Sequence, residues 1–167
     1  MNNKNIKVKV FLQLLILLSV VGVYSMAHAA TVQLRVENNQ SLVIETPGNC
    51  GSGSMNGCVR ASGRAPINFN LVGERGCSGG GQWGLDYIAL GNSKGQSGNI
   101  SAVAASDFGA DQGSGRVTAS SSAGNHIAIR NNNTQAYEVW YTVYASCPGG
   151  GTIKSDPRII NDGSGHN

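Results

Sequence analysis

The sequence predicts a single all-β domain, a disulfide-stapled β-sandwich of immunoglobulin-like or related Greek-key topology. Three observations predict it. Short runs rich in β-branched and aromatic residues recur at intervals of roughly 10–15 residues, parted by clusters of Gly, Asn and Ser, as strands and turns alternate in two packed sheets. No stretch carries an apolar stripe of helical period over three turns. All four cysteines fall after an export-type leader, and an even number there reads as two disulfides.

The leader comes first. Lys4, Lys7 and Lys9 precede an apolar run over 10–23, interrupted only by Gln13, Ser19 and Gly22, and the segment closes on Ala27-His28-Ala29. A basic start, an apolar middle and a small-x-small end are the parts of a cleaved signal peptide, so residues 1–29 are expected to be the signal and 30–167 the β-sandwich domain. The run is about 14 residues, short of the roughly 20 that span a bilayer, so no membrane insertion is expected after cleavage. The implied location is secreted or periplasmic, and the compact, Ala-rich junction reads as bacterial.

Export changes the charge balance. The leader holds three Lys and no acids, which leaves nine basic and nine acidic residues in 30–167. A neutral domain with scattered Arg has no electrostatic footprint for nucleic acid or an anionic membrane.

Strands are expected over 31–36, 41–45, 65–72, 85–90, 99–104, 116–120, 126–130, 136–146 and 152–160. The first alternates Val32, Leu34 and Val36 against Thr31, Gln33 and Arg35, the pattern of a half-buried strand. The run over 137–145 is the clearest, dense in aromatic and β-branched residues that suit a pleated surface. Its alternation puts Tyr137, Val139, Tyr141, Val143 and Ala145 on one face, and Glu138, Trp140, Thr142 and Tyr144 on the other. Both faces are expected to be partly covered, with Trp140 in the core. The best helical candidate, 102–112, would make one or two turns.

Of the three possible cysteine pairings, Cys50–Cys58 is expected as a local staple across a Gly/Ser-rich loop. Cys77–Cys147 would then tie a central turn to the end of the longest strand. A zinc site would need a C-x2-C spacing and histidines that the chain lacks.

Several motifs look chemical. Gly76-Cys77-Ser78-Gly79-Gly80 matches G-x-S-x-G, and His126 with Asp86 or Asp107 would complete a hydrolase triad. That chemistry needs the serine on a strand-to-helix elbow, and no helical pattern follows. Gly79 to Gly84 fits G-x-G-x-x-G but lacks the βαβ context of a dinucleotide site and reads as a turn. A copper centre of two His, Cys and Met needs a Cys followed shortly by His and Met; that spacing is absent after Cys147, and Met55, the single methionine after the leader, lies far upstream. Asp107 and Asp111 bracket a short loop whose spacing fits no EF-hand, so no metal or cofactor is expected. The Asn-x-Ser/Thr triplets at Asn39, Asn99 and Asn132 read as incidental in an Asn- and Ser-rich chain. The aromatic residues Trp83, Tyr87 and Tyr144 remain as binding candidates, since rings near loops can stack on sugars or anchor partners.

Near the C-terminus, Tyr141-Thr142-Val143-Tyr144-Ala145, a Gly-rich turn and Asp156-Pro157-Arg158-Ile159-Ile160-Asn161 resemble the end of DP-EP, a family of small bacterial β-sandwich proteins. The same stretch is loosely similar to the AidA/PixA inclusion-body proteins. The resemblance covers roughly 25 residues, and it implies a sandwich with no catalytic residues to carry over. Pro157, lacking an N–H, is expected at a strand start or edge.

The functional expectation is a non-enzymatic binding module acting through its Gly-rich loops on a glycan, an envelope component or a protein partner. The alternatives are an envelope assembly protein that pairs edge strands and a serine hydrolase built on Ser78.

Overall fold

The computed structural model describes residues 27–118, 124–149 and 151–165. Residues 1–26, which hold most of the expected signal peptide, lie outside the described residues, as do 119–120 at the end of one expected strand and His166. Among the described residues, ten strands and one short helix follow in the order β1 (Ala30–Glu37), β2 (Ser41–Ile44), β3 (Val59–Ala61), β4 (Ile67–Val72), β5 (Gly84–Gly91), α1 (Ala102–Phe108), β6 (Arg116–Thr118), β7 (His126–Ile129), β8 (Ala136–Cys147), β9 (Gly151–Ser155) and β10 (Arg158–Asp162). They form a four-stranded sheet, β2-β1-β4-β7, and a six-stranded sheet, β3-β10-β8-β5-β6, with β9 also paired to β8.

The alternation read from the sequence is what closes the sandwich. Val32, Leu34, Phe69, Leu71, Ile127 and Ile129 of the smaller sheet share one core with Leu85, Ile88, Leu90, Val139, Val143 and Ile159 of the larger. At its centre Phe69 meets Tyr141 edge-to-face, ring centroids 5.2 Å apart. The Tyr141 hydroxyl donates to the Gly57 carbonyl at 2.6 Å, and burial pushes its pKa up, so the phenol stays neutral. Gly57 itself has φ +75°, and a Cβ there would press on Ile44 and on that hydroxyl.

The connectivity contains two parallel pairs, β1 with β4 and β3 with β10. An immunoglobulin-type sheet is built of antiparallel neighbours. Here β1 instead lies inside its sheet, antiparallel to β2 and parallel to β4.

Three local expectations are corrected. No strand forms over 99–104. Ser101 accepts from the Ala104 N–H at 3.1 Å as an N-cap, Ala-rich residues follow, and Gly109 closes the turn at φ 64°. The helical candidate therefore wins, shortened to α1. Ser101→Ala is expected to cost about 1 kcal/mol of stability in chemical denaturation; an unchanged midpoint would mean the cap contributes nothing. The expected strand over 152–160 is two strands, because Asp156-Pro157 breaks the ladder. The first half of β8 then pairs with β10 and the second half with β9. Finally, β3 was not expected: its three residues are recruited as an edge beside β10 by the staple just before it.

Both disulfides pair as expected. Cys50–Cys58 closes the loop before β3, with Cα atoms 5.8 Å apart. Cys77–Cys147 joins the β4–β5 turn to the end of β8, with Cα atoms 6.3 Å apart. Two such bonds fit an oxidising extracellular or periplasmic compartment. Among the described residues no helix is long and apolar enough to cross a membrane.

Candidate functional site on the outer face of the larger sheet

Residues directly opposite each other on neighbouring strands share a face. Tyr144 of β8 lies opposite Lys154 of β9 on one side and Tyr87 of β5 on the other. Arg116 of β6 lies opposite Ala89, two residues along β5 and on the same face, and reaches back over Tyr87. The result is a row across the sheet: Lys154, Tyr144, Tyr87, Arg116.

The two tyrosine rings stack with centroids 4.4 Å apart and an interplanar angle of 19°. The Arg116 guanidinium sits 4.4 Å from the Tyr87 ring centroid, a cation–π contact. Since β5 lies between β8 and β6, Tyr87 has Tyr144 against one face and Arg116 against the other. Partial burial raises the Tyr87 pKa against the lowering pull of Arg116, which keeps the phenol neutral. Tyr144 therefore supplies the ring face that points away from the stack, toward Lys154.

Polar groups border the row. A β-bulge between Leu85 and Tyr87 re-aims Asp86, which accepts from the Ser146 hydroxyl at 2.8 Å. Asp156 accepts from the Thr142 hydroxyl at 2.6 Å. Arg158 pairs with Glu138 at 3.1 Å. This face offers an aromatic platform, cations at both ends and carboxylate and hydroxyl groups between them.

The sequence candidates divide. Tyr87 and Tyr144 come together on this face, on strands rather than on Gly-rich loops. Trp83 does not join them. It is only 2% exposed, and its indole N–H donates to Asn39 Oδ1 at 2.8 Å. It ties the β1–β2 turn to the entrance of β5 and has no free ring face. Trp140, expected in the core, shares the outer face with Glu138 and Tyr144 and is half-buried, opposite Gly91.

Ser78 sits at the tip of a turn closed by the Gly76–Gln82 bridge and the Cys77–Cys147 bond, followed by a strand rather than a helix. His126 Nδ1 is engaged with Asn70 Oδ1 at 2.6 Å. Asp86 and Asp107 bond elsewhere. The structure gives this set no triad hydrogen bonds.

Asp107 and Asp111 also serve separate ends. Asp111 Oδ1 accepts from the Ser114 N–H and hydroxyl, which holds its carboxyl below the usual range. Asp107 is 1% exposed and accepts from the Thr134 N–H at 2.9 Å, the Thr134 hydroxyl at 2.8 Å and the Tyr137 hydroxyl at 2.9 Å. Around it, Asn131 and Asn161 exchange side-chain amide hydrogen bonds at 2.9 and 3.0 Å. Asn133 donates to Asp162 Oδ1 at 2.6 Å and accepts from the Gly163 N–H at 2.9 Å. This buried hub binds α1, the β7–β8 loop and the end of β10. Sequence reasoning treated the Asn-Asn-Asn-Thr stretch at 131–134 as a chance glycosylation triplet. Its one legible signal was three amides leading into the longest strand.

Arg116 and Lys154 were not singled out from the sequence. They belong to the row only through strand register, which sets Lys154 beside Tyr144 and Arg116 beside Tyr87. Comparison with protein-family models and with curated proteins finds no match to this chain.

Proposed function

We propose that the protein is an exported, non-enzymatic binding protein that recognises a glycan on the outer face of its larger sheet. The observation that carries this reading is the row Lys154–Tyr144–Tyr87–Arg116. A sugar presents a C–H face that stacks on an aromatic ring and a rim of hydroxyls that bond to carboxylate and hydroxyl groups. Tyr144 offers the ring, and Asp86, Ser146 and Asp156 border it. Export is supported by the basic-apolar-small leader, by two disulfides, and by β1 starting at Ala30, the residue after the expected cleavage position.

The test is a glycan array with the disulfide-bonded protein, followed by titration of the best hit. Tyr144→Ala is expected to weaken binding about tenfold, equivalent to ~1.4 kcal/mol. An array that returns nothing, or a hit indifferent to Tyr144→Ala, would overturn the reading. Labelling of Ser78 by a fluorophosphonate would point to hydrolysis instead. Concentration-dependent oligomers in size-exclusion runs would favour edge pairing through β2 or β7, the outer strands of the smaller sheet.

A further inference from the structure

Residues 30–167 contain two lysines, Lys94 and Lys154, 60 positions apart in the chain. Both line the same open cleft of about 420 Å³, where the β9–β10 corner approaches β2. Val43, Ile44, Met55 and Pro157 supply the apolar part of the lining, beside Asn56 and Ser155. Among the described residues Met55 is the one large hydrophobic side chain left exposed, at 40%. Both lysine side chains of the domain and its exposed large hydrophobe thus meet in one ligand-sized depression.

The backbone brings both lysines to the cleft and leaves their amines unused. Lys154 projects from the outer face of β9, opposite Tyr144. Lys94 is carried by the loop after β5, which folds back as the Gly98 N–H donates to the Leu90 carbonyl at 2.8 Å. The same loop runs beside Asp156, close enough that a Cβ at Gly95 would stand 3.9 Å from its Oδ2. Among the described residues neither lysine forms an ion pair. Asp156, the carboxylate lining the cleft, already accepts a hydrogen bond from Thr142. Two ammonium groups against one carboxylate leave the cleft net positive in a domain whose overall charge is zero.

From this geometry we infer that the cleft binds an anionic amphiphile, a single phosphate or carboxylate head joined to an apolar chain. The head lies between Lys94 and Lys154, each acting as a mobile point charge rather than a planar fork. The chain covers Met55 and the apolar lining beside it, removing that surface from water. The head can come from a free amphiphile or from a lipid at a membrane surface. The site adjoins the glycan platform and shares Lys154 and Asp156 with it, but draws on neither Tyr87 nor Arg116.

Octyl phosphate below its micelle concentration is the probe, titrated calorimetrically into residues 30–167 purified with both disulfides. Binding is expected to be at least tenfold tighter than for octanol or inorganic phosphate, and to weaken severalfold as salt rises from low to physiological strength. Lys94→Gln with Lys154→Gln should reduce it to the level of octanol, and Met55→Ser should reduce it toward that of inorganic phosphate. All three side chains are exposed, so the melting temperatures should not move. Octyl phosphate binding is read with no glycan present, so its failure and the failure of the glycan reading are separate results. Sedimentation with phosphatidylglycerol vesicles distinguishes the sources: lysine-dependent co-sedimentation identifies a lipid surface, and binding to the monomer alone identifies a free amphiphile. Equal affinity for octanol and octyl phosphate, or affinity unchanged in the double lysine variant, would overturn the inference.

Discussion

Asp107→Ala is expected to destabilise the domain by roughly 3–5 kcal/mol, because it leaves buried donors without an acceptor at ~1–3 kcal/mol each. Three hydrogen bonds converge on this carboxylate, two from Thr134 and one from Tyr137. The Tyr137 phenol is half-buried and its pKa is pushed up by burial and by Asp107, so it remains a donor at any ordinary pH. Its ring also packs edge-on against Phe108, centroids 6.2 Å apart, so losing the acceptor loosens α1 as well. Asp107→Asn keeps one acceptor oxygen but turns an NH₂ toward a donor, and should fall between wild type and Ala. Urea denaturation reads both variants. A loss below about 1 kcal/mol for Asp107→Ala would show that water replaces the carboxylate and that the hub is not closed.

The second large effect is expected at Cys77–Cys147. This bond links residues 70 positions apart, against 8 for Cys50–Cys58. On the chain-entropy account, cross-linking removes freedom from the unfolded chain that grows with loop length. It gives about 4 kcal/mol for the long loop and about 2.5 kcal/mol for the short one. The paired replacements Cys77→Ala/Cys147→Ala and Cys50→Ala/Cys58→Ala should therefore differ by roughly 1–2 kcal/mol, the long-range pair being worse. The contrast has a structural side too. Cys147 ends the central strand β8, and Cys77 holds the turn that delivers Trp83 to its buried place at the entrance of β5. The short staple acts locally, ordering the loop that leads into edge strand β3. Equal losses for the two pairs would mean that native contacts, rather than chain entropy, dominate.

Much of the architecture was legible because it is local. A strand whose alternate side chains are Val, Leu and Val announces its buried face through the two-residue period, and β1 and β8 follow that reading residue by residue. The disulfide pairing was legible because one pair spans a short loop and the other lies at a turn and at the end of the longest strand. Helix α1 was legible only in part. Ala-rich segments beside Ser and Gly are consistent with either state, and the Ser101 cap together with Phe108 seated in the core decides for the helix.

The sequence alone determined the all-β class, the inward residues of the long strands and the neutral charge of 30–167, since composition and short-range periodicity carry each of these. The tertiary structure alone decided which side chains meet. It turned Trp140 outward and Trp83 inward, joined Lys154, Tyr144, Tyr87 and Arg116 in one row, and brought Lys94 to Lys154 and Asp107 to Thr134 and Tyr137. The physical reason is register. A one-residue slip in strand pairing exchanges the two faces of a strand, and the registers here are set by the joint packing of both sheets, the Asp86 bulge and the Asp156-Pro157 corner, none of which a local pattern encodes.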